Sequence, residues 1–351
     1  MPVKRVAVLF GGKSSEHEVS VVSARSVMNA LDTERWQVVP IAISRDGGWL
    51  SPVETKHGID AGQKAYAGDG RSLLHSTAAL DALASCDVVM PLVHGTFGED
   101  GTLQGFLEMA NLPYAGAGVA ASAIGMDKAL MKAIFQEAGI RVADYAVIRA
   151  WELAADETLA QRFVESGPGY PCFVKPANGG SSVGVSRVDS REDLMPAFRT
   201  AFAYDDKVVV ERAVKGQEVE CSVLGNEHPE ASIVGEIAPD RAFYDYDSKY
   251  SPYSQTALFI PARIEPAVAG RVRELAVRMF QAMGCEGYAR VDFFVSDAGE
   301  VIANEVNTIP GFTSISMFPK LWAASGVAYS DLLTRILELA LERFARGHGR
   351  D

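Results

Sequence analysis

"ANEVNTIPGF", residues 303–312, sets an acid and an amide two positions apart, Glu305 and Asn307, in an apolar run that ends at Pro310-Gly311. Alternate residues of a β-strand share a face, so both oxygen-bearing side chains point the same way. The stretch "YARVDFFV" (288–295), the turn signal "DAGE" (297–300) and "VIANEVN" (301–307) read together as a β-hairpin. A two-residue tip at Ala298-Gly299 pairs Asp297 with Glu300, and hence Asp292 with Glu305 and Arg290 with Asn307. Directly opposed carboxylates repel by roughly 3–4 kcal/mol at about 4.5 Å and an effective dielectric near 20. Something positive has to stand between them. Asp, Glu and Asn oxygens suit a hard cation such as Mg²⁺, which commonly takes one or two carboxylates plus substrate phosphates. The competing reading is a solvated hairpin face whose acids pair with Arg or Lys. Strongly apolar neighbours on both strands favour burial, and with it the metal.

Length and composition bound the rest. A chain of 351 residues is long for one core and points to two or three domains. Its 48% hydrophobic content excludes a disordered protein. No apolar run approaches the roughly 20 residues of a membrane span. "MPVKRVAVLF" reads as a buried first strand rather than a signal peptide. Cys86, Cys172, Cys221 and Cys285 lie far apart with no CxxC pair, as reduced core thiols of a cytoplasmic enzyme would. The formal charge of −12 argues against a nucleic-acid partner. A phosphate ligand would need a few placed cations.

Along the chain, "VKRVAVLF", "WQVVPIAIS" and "CDVVMPLVHG" alternate with helical patterns, which predicts an open parallel α/β domain at the N-terminus. Ser15-x-x-Glu18 offers a capping box to a first helix with Val21, Ala24, Val27, Met28 and Leu31 on one face. Residues 44–72, rich in Gly, Asp and Ser, read as an excursion or extra hairpin. One helix is expected over 122–138 with Gly139 as its stop. Another should open at Pro266, with Val268, Val272, Leu275, Met279 and Met283 as its stripe and Gly284 as its stop. A last helix begins near 329.

Two phosphate-loop signatures fail. "FGGKSS" would need glycine at position 7 for a P-loop, where Ala7 stands, and the GxGxxG spacing is missing after this strand. A different glycine loop, "NGGSSVG" (178–184), lies between "PCFVKP" and "VSRV", two apparent strands. It reads as a hairpin flap whose amides could cover a triphosphate, with Lys175 adding a cation; an ordinary flexible hairpin fits equally well.

Taken in order, "GGKSSEHEVS", "HGTFGEDGTLQG", "MDK", "FVKPANGGSSVG", "FYDYDSKY", "ARVD" and "NEVNTIPGFTSIS" resemble the D-alanine–D-alanine ligase family of the ATP-grasp superfamily, almost end to end. The resemblance implies an N-terminal α/β domain (1–120) with the first D-alanine site. An ATP-grasp fold of two α+β domains follows, central (121–211) and C-terminal (212–351). It implies ATP as co-substrate and two Mg²⁺ ions, replaceable by Mn²⁺, one on Asp292 and Glu305 and the other on Glu305 and Asn307. Lys128, Lys175 and Lys249 would approach the phosphates, with Ser181 and Ser182 on the covering loop. Glu211 would meet the adenine edge and Glu218 the ribose. Glu16 and His94 would receive the first D-alanine, and Ser316 the carboxylate of the second. Arg290 and the Gly311 amide would face the developing oxyanion. Tyr250 would ride on a lid (roughly 241–260) and link to Ser181 and Glu16. A homodimer without membrane or nucleic-acid partners completes the expectation. The rivals are another ATP-grasp ligase, such as a biotin-carboxylase-like or D-alanyl-D-lactate enzyme, and a nucleotide-binding regulator without catalysis.

Overall fold

The computed structural model describes residues 2–68, 70, 72–238, 256–313 and 315–348. Three sheets organise them. β1 (Lys4–Gly11) lies between β2 (Trp36–Ile43) and β3 (Val88–Pro91), all parallel. Helices on both faces explain why β1 reads as a continuous apolar run rather than an alternating one. A four-stranded antiparallel sheet runs in the order β4 (Tyr145–Arg149), β7 (Lys207–Arg212), β5 (Cys172–Pro176), β6 (Ser186–Val188). A five-stranded antiparallel sheet follows the order β10 (Ala257–Phe259), β9 (Glu230–Ala238), β8 (Gly216–Gly225), β11 (Gly287–Ser296), β12 (Val301–Asn307). The expected α/β N-terminal domain followed by an ATP-grasp pair of α+β units is what the chain adopts.

Packing joins these units. The helix Pro266–Ala282 opens on proline and buries Val272, Leu275 and Met279 against the five-stranded sheet. Met131, Phe135 and Ile140 enter that same core, so the segment after 121 packs on the C-terminal sheet, while residues 148–210 build a separate core of their own. The final helix, Tyr329–His348, sends Leu332, Leu333, Ile336 and Leu337 into a core shared with β1 and β3. Arg343 on that helix lies over the Tyr114 ring at 4.3 Å and donates to Tyr114 O at 2.8 Å, which ties the N-terminal domain's exit to the C-terminal end.

Four expectations need correction. The first helix starts at His17, with Glu16 at its cap position and no side-chain cap bond. Ser14 Oγ instead donates to His94 O at 2.6 Å, which draws the turn toward β3, and Glu18 ion-pairs with Arg45. The excursion at 44–72 contains a helix, Pro52–Asp60, closed by a capping box between Ser51 and Glu54. The helix expected over 122–138 is two, Val119–Met126 and Lys128–Glu137. Asp127 breaks it, since its side chain accepts from Ala129 N and Leu130 N at 3.0 and 3.1 Å and caps the second helix. Lastly, the β11–β12 tip spans three residues, 297–299, with Gly299 at φ +78° and Ser296 N donating to Glu300 O. Val295 therefore faces Val301, and a bulge at Asn304 restores the register.

Candidate active site

That bulge matters because beyond it the pairs are Asp292 with Glu305 and Arg290 with Asn307, as the sequence reading required. Asp292 and Glu305 line a cleft of about 1320 Å³ between the two antiparallel sheets and the N-terminal domain. Common single-ligand pockets run to roughly 1,000 Å³, so this one has room for more than one substrate. Arg290 forks onto Asp292, Nε to Oδ1 at 2.8 Å and Nη2 to Oδ2 at 2.7 Å, and its Nε lies 3.1 Å from Glu220 Oε2. Arg290 thus gives Asp292 the arginine partner of the competing reading, and its charge also acts on Glu305. Burial alone would lower its basicity, but Asp292, Glu220 and Glu305 together raise it. Asp292, Glu305 and Asn307 offer only oxygen donors, which fits a hard divalent cation. Among the described residues no group of three or more His, Cys, Asp and Glu is arranged to hold a metal ion.

The opposite wall is the glycine loop. β5 and β6 pair antiparallel around it, so it is the hairpin flap expected. Ser181 and Ser182 adopt positive φ, 51° and 60°, rare for residues bearing a Cβ. This backbone turns Ser181 toward the N-terminal domain, where its hydroxyl donates to Glu16 Oε1 at 2.5 Å. Lys128, the first residue of its helix, reaches the loop's Gly179 O at 2.5 Å, and its amide donates to Ala177 O at 3.0 Å. The "MDK" segment is thus fastened to the root of the flap, with Asp127 ion-paired to Lys207.

At the inner end, Glu211 is 3% exposed and lies between two ammonium groups: Lys132 Nζ at 2.5 Å from Oε1, and Lys175 Nζ at 2.7 Å from Oε2. Burial pushes its carboxyl up, but the two lysines, by charge and hydrogen bond, hold it down at about 2. Lys175 is lowered by burial and raised more by Glu211, with Glu305 and Glu218 adding to it. Glu218 lines the cleft from β8.

The N-terminal domain contributes the third wall. His94 follows β3 at the sheet's carboxyl end, where open α/β sheets bind ligands. Its Nδ1–H donates to Ile309 O at 2.9 Å and its Nε2 lies 3.2 Å from Ser23 Oγ, so both ring nitrogens are engaged within the protein. Burial lowers its pKa, against the opposing pull of the Glu16 charge and the bond to Ile309. Asn307 Oδ1 accepts from Ile309 N at 3.1 Å, so His94 and β12 hold the Pro-Gly turn from both sides. A Cβ on Gly311 would stand 2.7 Å from Ser316 Oγ, so a larger residue there would push that hydroxyl aside. Ser316, at the N-cap of the helix Met317–Ala324, bonds Thr313 N at 3.1 Å. Lys249 and Tyr250, with most of the expected lid, lie outside the described residues.

Three residues escaped the sequence reading. Glu220 lies two beyond Glu218 on β8 and opposite Asp292, where the same period-two rule would have found it. Glu99 stands inside "HGTFGEDG"; Gly95 N donates to it at 2.8 Å, and burial followed by the charge of Glu16 pushes its carboxyl well up. Lys132 lies one turn beyond Lys128, between the core residues Met131 and Phe135, where only the structure reveals its partner.

Two antiparallel sheets closing on one cleft, with a serine-glycine flap on one and paired acids on the other, have the architecture of an ATP-grasp enzyme. The family model described as "D-ala D-ala ligase N-terminus" matches residues 5–117 and "D-ala D-ala ligase C-terminus" matches 134–338. The D-alanine–D-alanine ligase of Geobacillus thermodenitrificans is 47% identical, over 97% of this chain and 96% of that one. D-alanine–D-alanine ligase A of Escherichia coli K12 is 45% identical, over 97% and 96%. Among solved structures, the Coxiella burnetii D-alanine–D-alanine ligase aligns at a TM-score of 0.82 and 35% identity, covering 100% of this chain and 97% of that one. A D-Ala:D-Ser ligase from Enterococcus faecalis aligns at 0.80 and 33%, covering 96% and 99%. The chain belongs to the D-alanine–D-alanine ligase family.

Proposed function

We propose that this ATP-dependent ligase joins two D-alanine molecules into D-alanyl-D-alanine, with ATP cleaved to ADP and phosphate, for peptidoglycan precursor synthesis. One observation carries the reading: the Ser181–Glu16 bond, which brings the flap over the triphosphate site to the acid that meets the first substrate's ammonium. The triphosphate lies under Ser181 and Ser182, met by Lys128, Lys175 and Lys249, with Glu211 at the base and Glu218 at the ribose. Asp292 and Glu305, and Glu305 and Asn307, would hold two Mg²⁺ ions, or Mn²⁺ in their place. Bound there, the ions offset phosphate charge and polarise the γ-phosphorus.

The first D-alanine, held by Glu16 at its ammonium and beside His94, attacks the γ-phosphorus with a carboxylate oxygen. The bond from that phosphorus to ADP breaks and D-alanyl phosphate forms. The second D-alanine, seated with its carboxylate at Ser316 and the helix N-terminus, attacks the acyl carbon as a neutral amine. Arg290 and the Gly311 amide face the tetrahedral oxyanion. The C–O bond then breaks, and phosphate leaves with the proton that the amine gives up. Tyr250 would close the lid onto Ser181 and Glu16 and exclude water. The domains read as 1–120, 121–211, whose first two helices pack on the C-terminal sheet, and 212–351, and the enzyme as a cytoplasmic homodimer; no helix among the described residues is long and apolar enough to cross a membrane.

The similarity to a D-Ala:D-Ser ligase makes the second substrate the point to test. A competition at neutral pH with ATP, D-alanine and excess D-lactate or D-serine, read by product mass, should yield chiefly the D-alanyl-D-alanine amide. Predominant depsipeptide or D-alanyl-D-serine would replace this reading.

A further inference from the structure

The base end of the cleft holds a buried ammonium for which the reaction as derived has no task. Lys132 is 1% exposed, on a helix face whose neighbours Met131 and Phe135 are core residues. A buried lysine is costly unless paired, and an apolar side chain would fill this place at no such cost. Its Nζ is 2.5 Å from Glu211 Oε1 and 5.9 Å from the centre of the Tyr145 ring, which stands opposite Glu211 across β4 and β7. Glu211 and Lys175 line the cleft, but Lys132 does not. It approaches the carboxylate from behind and acts on a bound nucleotide only through Glu211.

Geometry gives that contact a purpose. The last torsion of a glutamate is broad, so one donor leaves the carboxylate free to turn. Two donors from different elements, Lys132 on one oxygen and Lys175 on the other, fix it. Each oxygen keeps a further lone pair, and an ionised carboxylate can only accept. A 6-aminopurine presents an N–H donor to such a group, whereas a 6-oxopurine presents a carbonyl oxygen and is repelled. Selection is sharp where a site's buried polar group is left unmatched by the wrong ligand.

We infer that Lys132 is a positioning residue for nucleotide choice: by pinning Glu211 as a fixed acceptor it makes the site take a 6-aminopurine triphosphate and reject a 6-oxopurine one. This rests on the ATP reading above. The test is steady-state kinetics with ATP and with inosine triphosphate for the wild type, Lys132→Met, Glu211→Gln and the double variant. Lys132→Met should raise the KM for ATP about tenfold, with kcat and the D-alanine KM moving far less, and should lower the ATP-over-inosine preference in kcat/KM about tenfold. In the Glu211→Gln background it should add less than about twofold, since the residue it positions has already lost its charge. Lys132→Gln keeps one donor, should fall between, and carries the test if the methionine variant does not fold. Equal losses toward both nucleotides, a parallel rise in the D-alanine KM, or losses that multiply in the double variant would reduce Lys132 to a packing role. If Glu211→Gln itself changes neither the ATP KM nor the base preference, the adenine assignment falls and the inference with it. If Glu211→Gln weakens ATP while Lys132→Met does not, the inference falls alone.

Discussion

At the inner end of the cleft, the proposed base site, one carboxylate, Glu211, lies between two ammonium groups, while at the proposed reacting end one guanidinium, Arg290, sits among Glu220, Asp292 and Glu305. Both clusters are largely buried, and both stand on antiparallel sheets with side chains set by period two. Their balance is opposite. The first is satisfied by its own lysines and gains nothing from a bound cation, so it suits recognition of a neutral base. The second keeps more negative than positive charge in a partly desolvated cleft, a condition that divalent cations and a metal-bound triphosphate relieve. Burial raises the cost of any imbalance, and here that cost falls where the proposed cations would bind.

Glu305→Gln strikes the reacting end hardest. It removes the acid shared by both proposed metal positions, and turnover should fall by about a thousandfold with the thermal midpoint nearly unchanged. Wild-type kcat in millimolar Mg²⁺ would erase the contrast drawn between the two ends.

Glu211 sets the next largest effect. Its folded pKa of about 2 lies below the ordinary 4.5, so its stabilisation is present above 4.5 and lost as pH falls through 2. That contribution is on the order of 3 kcal/mol. Urea midpoints measured between pH 5 and 2 should fall more steeply for the wild type than for Glu211→Gln; equal slopes would mean that the two lysines do not hold the carboxylate as described.

Glu16 belongs to neither end. It joins the flap to the N-terminal wall, and Glu16→Gln should raise the first D-alanine KM roughly tenfold to a hundredfold while ATP changes little, the value of a charged hydrogen bond. An unchanged first-site KM would leave Glu16 as a helix-start acid only. The smallest effect is expected at Asp127. Asp127→Ala removes the cap of the helix that carries both Lys128 and Lys132 and should cost about 1 kcal/mol in denaturant unfolding. A loss near zero would mean that the bonds of Lys128 to Ala177 and Gly179 hold the helix start without it.

The residues that were legible in the sequence were those fixed by local rules. Strand alternation gave the shared face of Glu305 and Asn307, and hairpin logic gave their partners Asp292 and Arg290, although the tip register was one residue out and only the Asn304 bulge restored it. The flap was legible from glycines between two strand patterns. Capping chemistry was less so: a plausible box at Ser15 does not form, while Ser51 and Asp127 cap helices that periodicity alone did not separate. Contacts spanning long stretches of chain were not legible at all. Nothing near Lys132 announces Glu211, 79 residues away, and nothing near His94 announces Ile309, 215 away.

The central claim is that the first D-alanine's own carboxylate oxygen attacks ATP. D-alanine carrying ¹⁸O at both carboxylate oxygens tests this directly when supplied with ATP and Mg²⁺ and the released phosphate is analysed by mass. The account predicts one labelled oxygen in each phosphate and one phosphate per dipeptide formed. Phosphate released without label, or without dipeptide, would contradict it.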